Sequence, residues 1–468
     1  MKIVMKFGGT SVGDAQKIGE VANLIAQRIR KGDSIIVVVS AMAGVTNSLV
    51  EVMNRAEDGD INYINGFMKK IDERHKDAIK IIADTEIREK TSQHISNKLS
   101  ELKEVLTAIA HLKEATPRTR DFIISIGELL STPIVSSKLN DIGVSAKFFS
   151  GGEAGIITDT NYGSANPLMD KIDELVKEKL EQVIKDGTVP VVTGFVASAI
   201  NGHISTLGRG GSDYSASLLG YALDCDEIWI WTDVDGIMTT DPLIEPKARK
   251  IEILSYNEAA EMAYFGAKVL HPLTLEPAKL KNIPVIVRNT FNQNDTGTMV
   301  VEDAKTPSSS IVKAIAMIRE VALITVGGAK MVGVPGIAAR VFGALGNEGI
   351  SVSMISQGSS EVNISFIISG KDVDRAIRAI EREFEKTNFV RDVIAEEDVC
   401  VVAVVGAGMK GTPGVAARVF GAVANDGVNV RMIAQGSSEL NISFVVRRED
   451  GPTAVRAIHR EFNLTTEV

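Results

Sequence analysis

Cysteine is almost missing from this chain. Cys225 and Cys400 stand far apart with no CxxC spacing, which excludes a disulfide framework and a thiolate metal site and fits a reducing compartment. Basic excess is also missing: 51 Lys and Arg against 60 Asp and Glu leave a formal charge of -9, so nothing marks a nucleic-acid surface. Aromatics make up only 5%. Long apolar runs are lacking as well. The N-terminus meets Lys6 and two glycines after five residues, short of the roughly 7–15 apolar residues of a secretion signal, and no later stretch reads as the about 18 residues of a membrane span. The expectation is a cytoplasmic protein without nucleic acid or membrane as partner. The six histidines form neither HExxH nor a Cys/His cluster, so no protein-held metal is expected. GxxxxGK[ST] is absent, which excludes the P-loop.

What is present suits a multidomain enzyme. At 468 residues with 44% hydrophobic and 24% charged residues, the chain can fill roughly two to four cores. Up to about Val301, β-rich runs alternate with helical stretches, the pattern of an α/β sheet. Strands are predicted at Lys2–Phe7, Ser34–Ser40, Val189–Phe195, Glu227–Thr232 and Pro284–Arg288, whose Ile, Val and Trp content suits parallel strands covered on both faces. Asn62 to Lys113 reads as solvated amphipathic helices. Lys305–Ser310 is polar and breaker-rich, a linker. An internal repeat follows: GVPGIAARVFGA from Gly333, with QGSSEVNISF from Gln357, recurs 78 residues later as GTPGVAARVFGA from Gly411, with QGSSELNISF from Gln435. Two copies predict paired α/β modules, since a solenoid needs about three or more.

Several turns could carry chemistry. KFGGTS, Lys6 to Ser11, closes the first strand with glycines that let amides approach a polyphosphate, although a Gly-Gly turn after a strand is common. SAMAGVTN, Ser40 to Asn47, is either a second ligand turn or a capped turn. GRGGSD, Gly208 to Asp213, packs three glycines, a guanidinium and a carboxylate into six residues. Such a segment is poor core material but suits a loop gripping a carboxylate ligand. Arg209 can hold that ligand in bidentate fashion, while Asp213 can hold Lys6 or help organise Mg²⁺. WTDVDG, Trp231 to Gly236, followed by TTDP, leaves an apolar strand into a polar turn, a ligand position in open α/β sheets or a capped turn. FGAKVLHP, Phe265 to Pro272, offers Lys268 as surface charge or phosphate ligand. Glu128 sits in an apolar helical stretch, where an unpaired carboxylate is costly and a substrate ammonium would offset the cost. The match to GxGxxG at Gly406–Gly411 is read as a turn, because the first repeat lacks its middle glycine and the module is too small for a dinucleotide domain.

In order and spacing, KFGGTS, SAMAGVTN, Gly127-Glu128, GRGGSD, WTDVDGI with TTDP, and FGAKVLHP resemble the aspartate kinase branch of the amino acid kinase family over essentially the whole chain. That resemblance implies a three-layer α/β/α sandwich with a mainly parallel sheet over 1–305, then two ferredoxin-like α+β ACT modules, at 306–390 and 391–468. It implies transfer of the ATP γ-phosphoryl group to the side-chain carboxylate of L-aspartate, the first step toward lysine, methionine and threonine. Lys6 and Asp213 would be catalytic; Thr46, Glu128, Phe195, Arg209 and Ser212 would line the aspartate pocket. Lys6, Gly8, Gly9, Ser11, Thr232, Asp233 and Lys268 would hold ATP, with Mg²⁺ as cofactor. Met238 and Leu243 depart from the Tyr and Arg of relatives at positions expected beside the nucleotide.

Aspartate's side chain, with an ordinary pKa of about 3.9, is already an anion at neutral pH and needs no general base. Catalysis should then be positioning plus charge neutralisation. In the ACT-like repeats, the Gly/Pro turns before the helices offer amides and a helix dipole to an amino acid carboxylate. Their QxSSE pattern resembles threonine-responsive relatives, making Gly336, Gln357, Gly414 and Gln435 the effector residues and a homodimer or higher homo-oligomer the assembly. Because the chain ends at Val468, a single activity is expected. The rival readings are a kinase for another acidic amino acid and a non-catalytic amino acid sensor of the same fold.

Overall fold

The computed structural model describes residues 1–266, 270–304, 311–358, 362–387 and 389–465. Lys268, the linker at 305–310, and Ser359 to Glu361 of the first QGSSE turn lie outside the described residues. The chain divides into two compact units. The first comprises Met1–Ile237, Glu252–Tyr256 and Val269–Ala304; the second comprises Met238–Ile251, Asn257–Lys268 and Lys305–Val468.

In the first unit the apolar runs form an eight-stranded sheet. Its order is Ala146–Phe149, Val189–Thr193, Ser34–Val39, Lys2–Phe7, Glu227–Thr232, Val285–Asn289, Thr298–Val301, Ile253–Ser255. Every pairing is parallel except that of Val285–Asn289 with Thr298–Val301. The continuous apolar runs follow from burial on both faces. Ile3, Met5 and Phe7 pack into a core shared with the helices Ala15–Arg30 and Pro117–Asp141. Val4, Ile36 and Val38 point the other way and are equally inaccessible; there the helix Gly211–Ala222 brings Gly220 against Val4.

The predicted strand Val189–Phe195 stops at Thr193, because the chain turns sharply at Gly194 and Phe195. It then enters a separate three-stranded sheet of Ile157–Thr158, Val196–Ala199 and Ile204–Thr206. The Asn62–Lys113 region forms the helices Ile61–Ile79 and Thr85–Leu112, each with one buried apolar stripe. Contrary to the sequence reading, one helix among the described residues, Pro117–Asp141, is long and apolar enough to cross a membrane, but 78% of its apolar window is buried inside the protein.

The second unit holds an antiparallel six-stranded sheet in the order Met354–Gln357, Asn363–Ser369, Ala314–Gly327, Asp392–Val405, Asn441–Arg447, Met432–Gln435. Both repeats thus share one sheet. The 14-residue strand Ala314–Gly327 serves both halves, with a register shift between Ile318 and Val321. Beyond the shift Ala322, Ile324 and Val326 enter the core of the first repeat; before it Ile315 joins the core of the second. At the rejected dinucleotide motif, a Cβ on Gly406 would lie 2.3 Å from the Ile311 carbonyl oxygen, so close backbone approach demands the glycine. Two segments from the middle of the chain are fastened into this unit. Thr239 Oγ1 and His459 Nε2 lie 3.0 Å apart, and the buried Glu258 accepts from Lys313 Nζ at 3.2 Å and the Ala407 amide at 2.7 Å. Met238 and Leu243 belong to this unit, with the Leu243 side chain 93% exposed.

Candidate active site

The central strands of the first unit end where their connecting loops converge, the usual ligand position of an open parallel sheet. Lys6, penultimate in its strand, places Nζ in an ion pair with Asp213, in the first turn of the helix Gly211–Ala222. Both side chains are nearly buried, at 11% and 13% exposure. They border a cavity of about 390 Å³ that also collects Gly9, Thr46, Glu128, Phe195, Arg209 and Ser212. Five loops or helices far apart in sequence therefore meet at one point. Of the two roles open for Asp213, the structure displays the contact with Lys6.

Glu128 enters the cavity from the helix Pro117–Asp141. Gly127 makes this possible, because a Cβ there would lie 2.7 Å from the Ala41 Cβ in the SAMAGVTN turn. Gly127→Ala should force the helix off that turn at a cost of about 1–3 kcal/mol. Calorimetry should show a lower Tm and titration a weaker hold on the substrate. Glu128 is 3% exposed, and its Oε2 has no hydrogen-bond partner. Burial pushes its carboxyl up to about 8, while the backbone of Ala41 and the Lys6 charge pull the other way. A buried acid of this kind is poised to ionise when a cation arrives.

Two residues to which the sequence reading gave no role shape the site. Asp121, buried two turns before Glu128, accepts from the Thr206 amide at 3.0 Å, Thr206 Oγ1 at 2.9 Å and the Gly163 amide at 3.1 Å. It thereby fastens the helix carrying Glu128 to the strand leading into the Arg209 loop. His271, at the described end of the FGAKVLHP motif, abuts that loop: a Cβ on Gly210 would lie 2.5 Å from its own. Burial, and next the charge of Arg209, lower the His271 pKa.

The expected nucleotide residues do not all line this cavity. Gly8 donates its amide to the Trp231 carbonyl at 3.1 Å, and Ser11 Oγ meets Thr290 Oγ1 at 2.7 Å. Thr232 and Asp233 follow at the end of the neighbouring strand, with Thr232 Oγ1 donating to Asp233 at 3.2 Å. Among the described residues no cluster of three or more His, Cys, Asp or Glu could cage a metal ion.

In the second unit, Gly336 and Gln357 border a separate cavity of about 300 Å³ with Pro335 and Met331. Gly336 caps the helix Ile337–Asn347 in a left-handed conformation without any side-chain cap. Gly414 repeats this at Val415–Asn425, and Gln435 ends the strand Met432–Gln435 as Gln357 ends Met354–Gln357. In this second copy the Gly411 amide donates to Glu439 Oε2 at 2.6 Å.

Comparison with known proteins agrees with this geometry. A model of the amino acid kinase family matches residues 1–289, and an ACT domain matches 324–384 and again 402–462. Chloroplastic aspartokinase 2 of Arabidopsis thaliana is 35% identical over 98% of this chain and 84% of its own length. The Arabidopsis chloroplastic bifunctional aspartokinase/homoserine dehydrogenase 2 is 34% identical over 99% of this chain. The chain spans about half the length of such bifunctional relatives, 51% in that case. The structure of E. coli aspartokinase III with aspartate and ADP superposes with a TM-score of 0.84 at 33% identity, covering 98% of this chain and 99% of that one. The same enzyme with lysine and aspartate gives 0.78 at 32% identity, covering 98% of each chain. By sequence over its full length and by fold, the chain belongs to the amino acid kinase family and, within it, to the aspartokinases.

Proposed function

We propose that the protein is an ATP-dependent aspartate kinase, forming 4-phospho-L-aspartate, with its catalytic centre in the first unit. The observation that carries the reading is the single cavity joining the Lys6–Asp213 ion pair, the buried acid Glu128 with its unpartnered Oε2, and the guanidinium of Arg209. These groups complement one molecule bearing an ammonium, a carboxylate and a second carboxylate to be phosphorylated. Glu128 takes the ammonium and Arg209 the non-reacting carboxylate. Lys6, held by Asp213, neutralises charge on the phosphoryl group in transit, and the anionic acceptor needs no base. Thr232 and Asp233 would hold the nucleotide. Mg²⁺ would be carried on its phosphates, as is usual for this ion, and would supply charge neutralisation there.

We assign effector binding to the glycine turns and glutamines of the second unit, with threonine as the preferred amino acid. The helix N-terminus at Gly336, without a side-chain cap and beside Gln357, supports this reading, since the first amides of a helix lack intrahelical partners and suit a carboxylate. A homodimer and a cytoplasmic location complete it; both cysteines are free and buried, as a reducing compartment permits. Trapping the acyl phosphate with hydroxylamine, using protein, Mg²⁺-ATP and L-aspartate with and without L-threonine, tests both halves. Aspartyl hydroxamate that disappears on adding threonine is the expected result. Hydroxamate indifferent to threonine sinks the effector assignment alone, and none under any condition leaves only the sensor reading.

A further inference from the structure

Phe195, which borders the aspartate cavity, has a backbone conformation that its side chain disfavours. Its φ is +65°, and the Val196 amide donates to the Gly194 carbonyl across it at 2.6 Å. A tight three-residue turn with positive φ at its centre is rare and strained, the more so for a bulky residue. Such strain persists only where the surroundings over-determine it, and it concentrates at functional sites. Two hydrogen bonds supply the determination here. The Phe195 carbonyl accepts from the Leu207 amide at 3.0 Å, and the Phe195 amide donates to Ser215 Oγ at 3.0 Å.

Ser215 is fully buried, and the same Oγ donates to the Gly211 carbonyl at 2.9 Å. One hydroxyl therefore joins the strained Phe195 turn to the first turn of the helix that carries Ser212 and Asp213. The two pieces interlock further: a Cβ on Gly211 would lie 2.7 Å from the Phe195 ring, and one on Gly194 would lie 2.6 Å from Ser212. A serine bonding back to the carbonyl four residues earlier is common in helices. Accepting the amide of a residue 20 positions away, held at positive φ in the cavity wall, is what that habit does not explain.

We propose that Ser215 is a positioning residue for the phosphoryl acceptor: it holds Phe195 in its strained turn and so fixes the wall against which aspartate is aligned. The proposal rests on the aspartate kinase reading. Deleting the hydroxyl leaves the Phe195 amide without its acceptor and lets the turn relax, which moves the ring. The nucleotide residues Thr232 and Asp233 lie at the end of another strand and take no part in these hydrogen bonds. The consequence is selective for aspartate.

Isothermal titration of the full chain with L-aspartate, and separately with Mg²⁺-ATP, reads this directly. Ser215→Ala should weaken aspartate binding about tenfold and leave ATP binding within about twofold. Phe195→Leu should weaken aspartate as well, and adding Ser215→Ala to it should cost less than about twofold more, because the serine acts through the phenylalanine. Should Ser215→Ala fail to fold, Ser215→Cys leaves no cavity, with a somewhat larger side chain that is a poor acceptor, and the same selective loss is expected. Aspartate binding by Ser215→Ala within twofold of wild type, equal losses for aspartate and ATP, or full additivity with Phe195→Leu would each overturn the proposal. A wild-type protein that binds no aspartate would bring down the functional reading itself.

Discussion

Lys6→Ala should reduce turnover by about a thousandfold, the scale on which removal of one preorganised charge-stabilising donor acts, while ATP affinity changes only a few-fold. The reason lies in where the ammonium sits. Lys6, next to last in a central strand, is ion-paired with Asp213 inside the cavity that holds Glu128 and Arg209, where in the proposed reaction charge would develop during transfer. In the proposed reading, ground-state nucleotide binding would draw on other groups along the neighbouring strand ends. The substitution also strands Asp213 nearly buried without its cation, a change that costs about 3–5 kcal/mol for a fully buried pair and less for this one, which keeps some solvent. A lower Tm should therefore accompany the lost activity. Asp213→Asn separates the two effects, because it leaves Lys6 in place with a neutral partner. Hydroxamate formation and nucleotide titration on folded protein make the comparison, and near-normal turnover in Lys6→Ala would refute the catalytic assignment.

Glu128→Gln should abolish useful aspartate affinity, weakening it by a factor on the order of 10² or more, since losing one partner of a buried charge pair costs about 2–5 kcal/mol. The same change should not destabilise the empty enzyme. The Glu128 carboxyl is raised to about 8 by burial, from an ordinary 4.5. Between those two values the folded chain holds a proton that the unfolded chain has released, so this group's contribution falls as pH rises from 4.5 toward 8. Glutamine removes that penalty, so the Gln variant should gain stability relative to wild type progressively as pH rises from 4.5 to 8. Aspartate binding has the opposite slope. Holding the substrate ammonium requires the ionised carboxylate, so apparent affinity in wild type should drop about tenfold per pH unit below 8. Titrations at pH 6, 7 and 8 and paired melts across the same range check both signs. A flat pH profile for aspartate binding, with the glutamine variant equally flat, would remove Glu128 from the substrate site.

Much of this protein was legible before its structure. The first strand and Glu227–Thr232 lie where period and composition put them, because residues buried on both faces of a parallel sheet must be apolar throughout. The repeat was plain from identity at a fixed offset. Loops too rich in glycine and charge to be packing material marked the site, and GRGGSD, SAMAGVTN and Glu128 do line one cavity.

Proximity and strain were not legible. The Lys6–Asp213 pair was one of two roles open for Asp213 in the sequence, and Asp121 bonding to Thr206 does not follow from positions 85 residues apart in the chain. Phe195 belonged, by its apolar neighbours, to a strand; the packing of Gly211 against it and its hydrogen bonds with Ser215 and Leu207 hold a positive φ there. The strand Ala314–Gly327 feeds two cores because a register shift divides it, and the stretches Met238–Ile251 and Asn257–Lys268 leave the unit that their sequence neighbours build. Local chemistry is written in residue order, since propensity, turn type and periodicity act over a few positions. The Glu128 carboxyl near 8 and the forced turn at Phe195 are set by desolvation and contact among distant segments, and these exist only once the chain has folded.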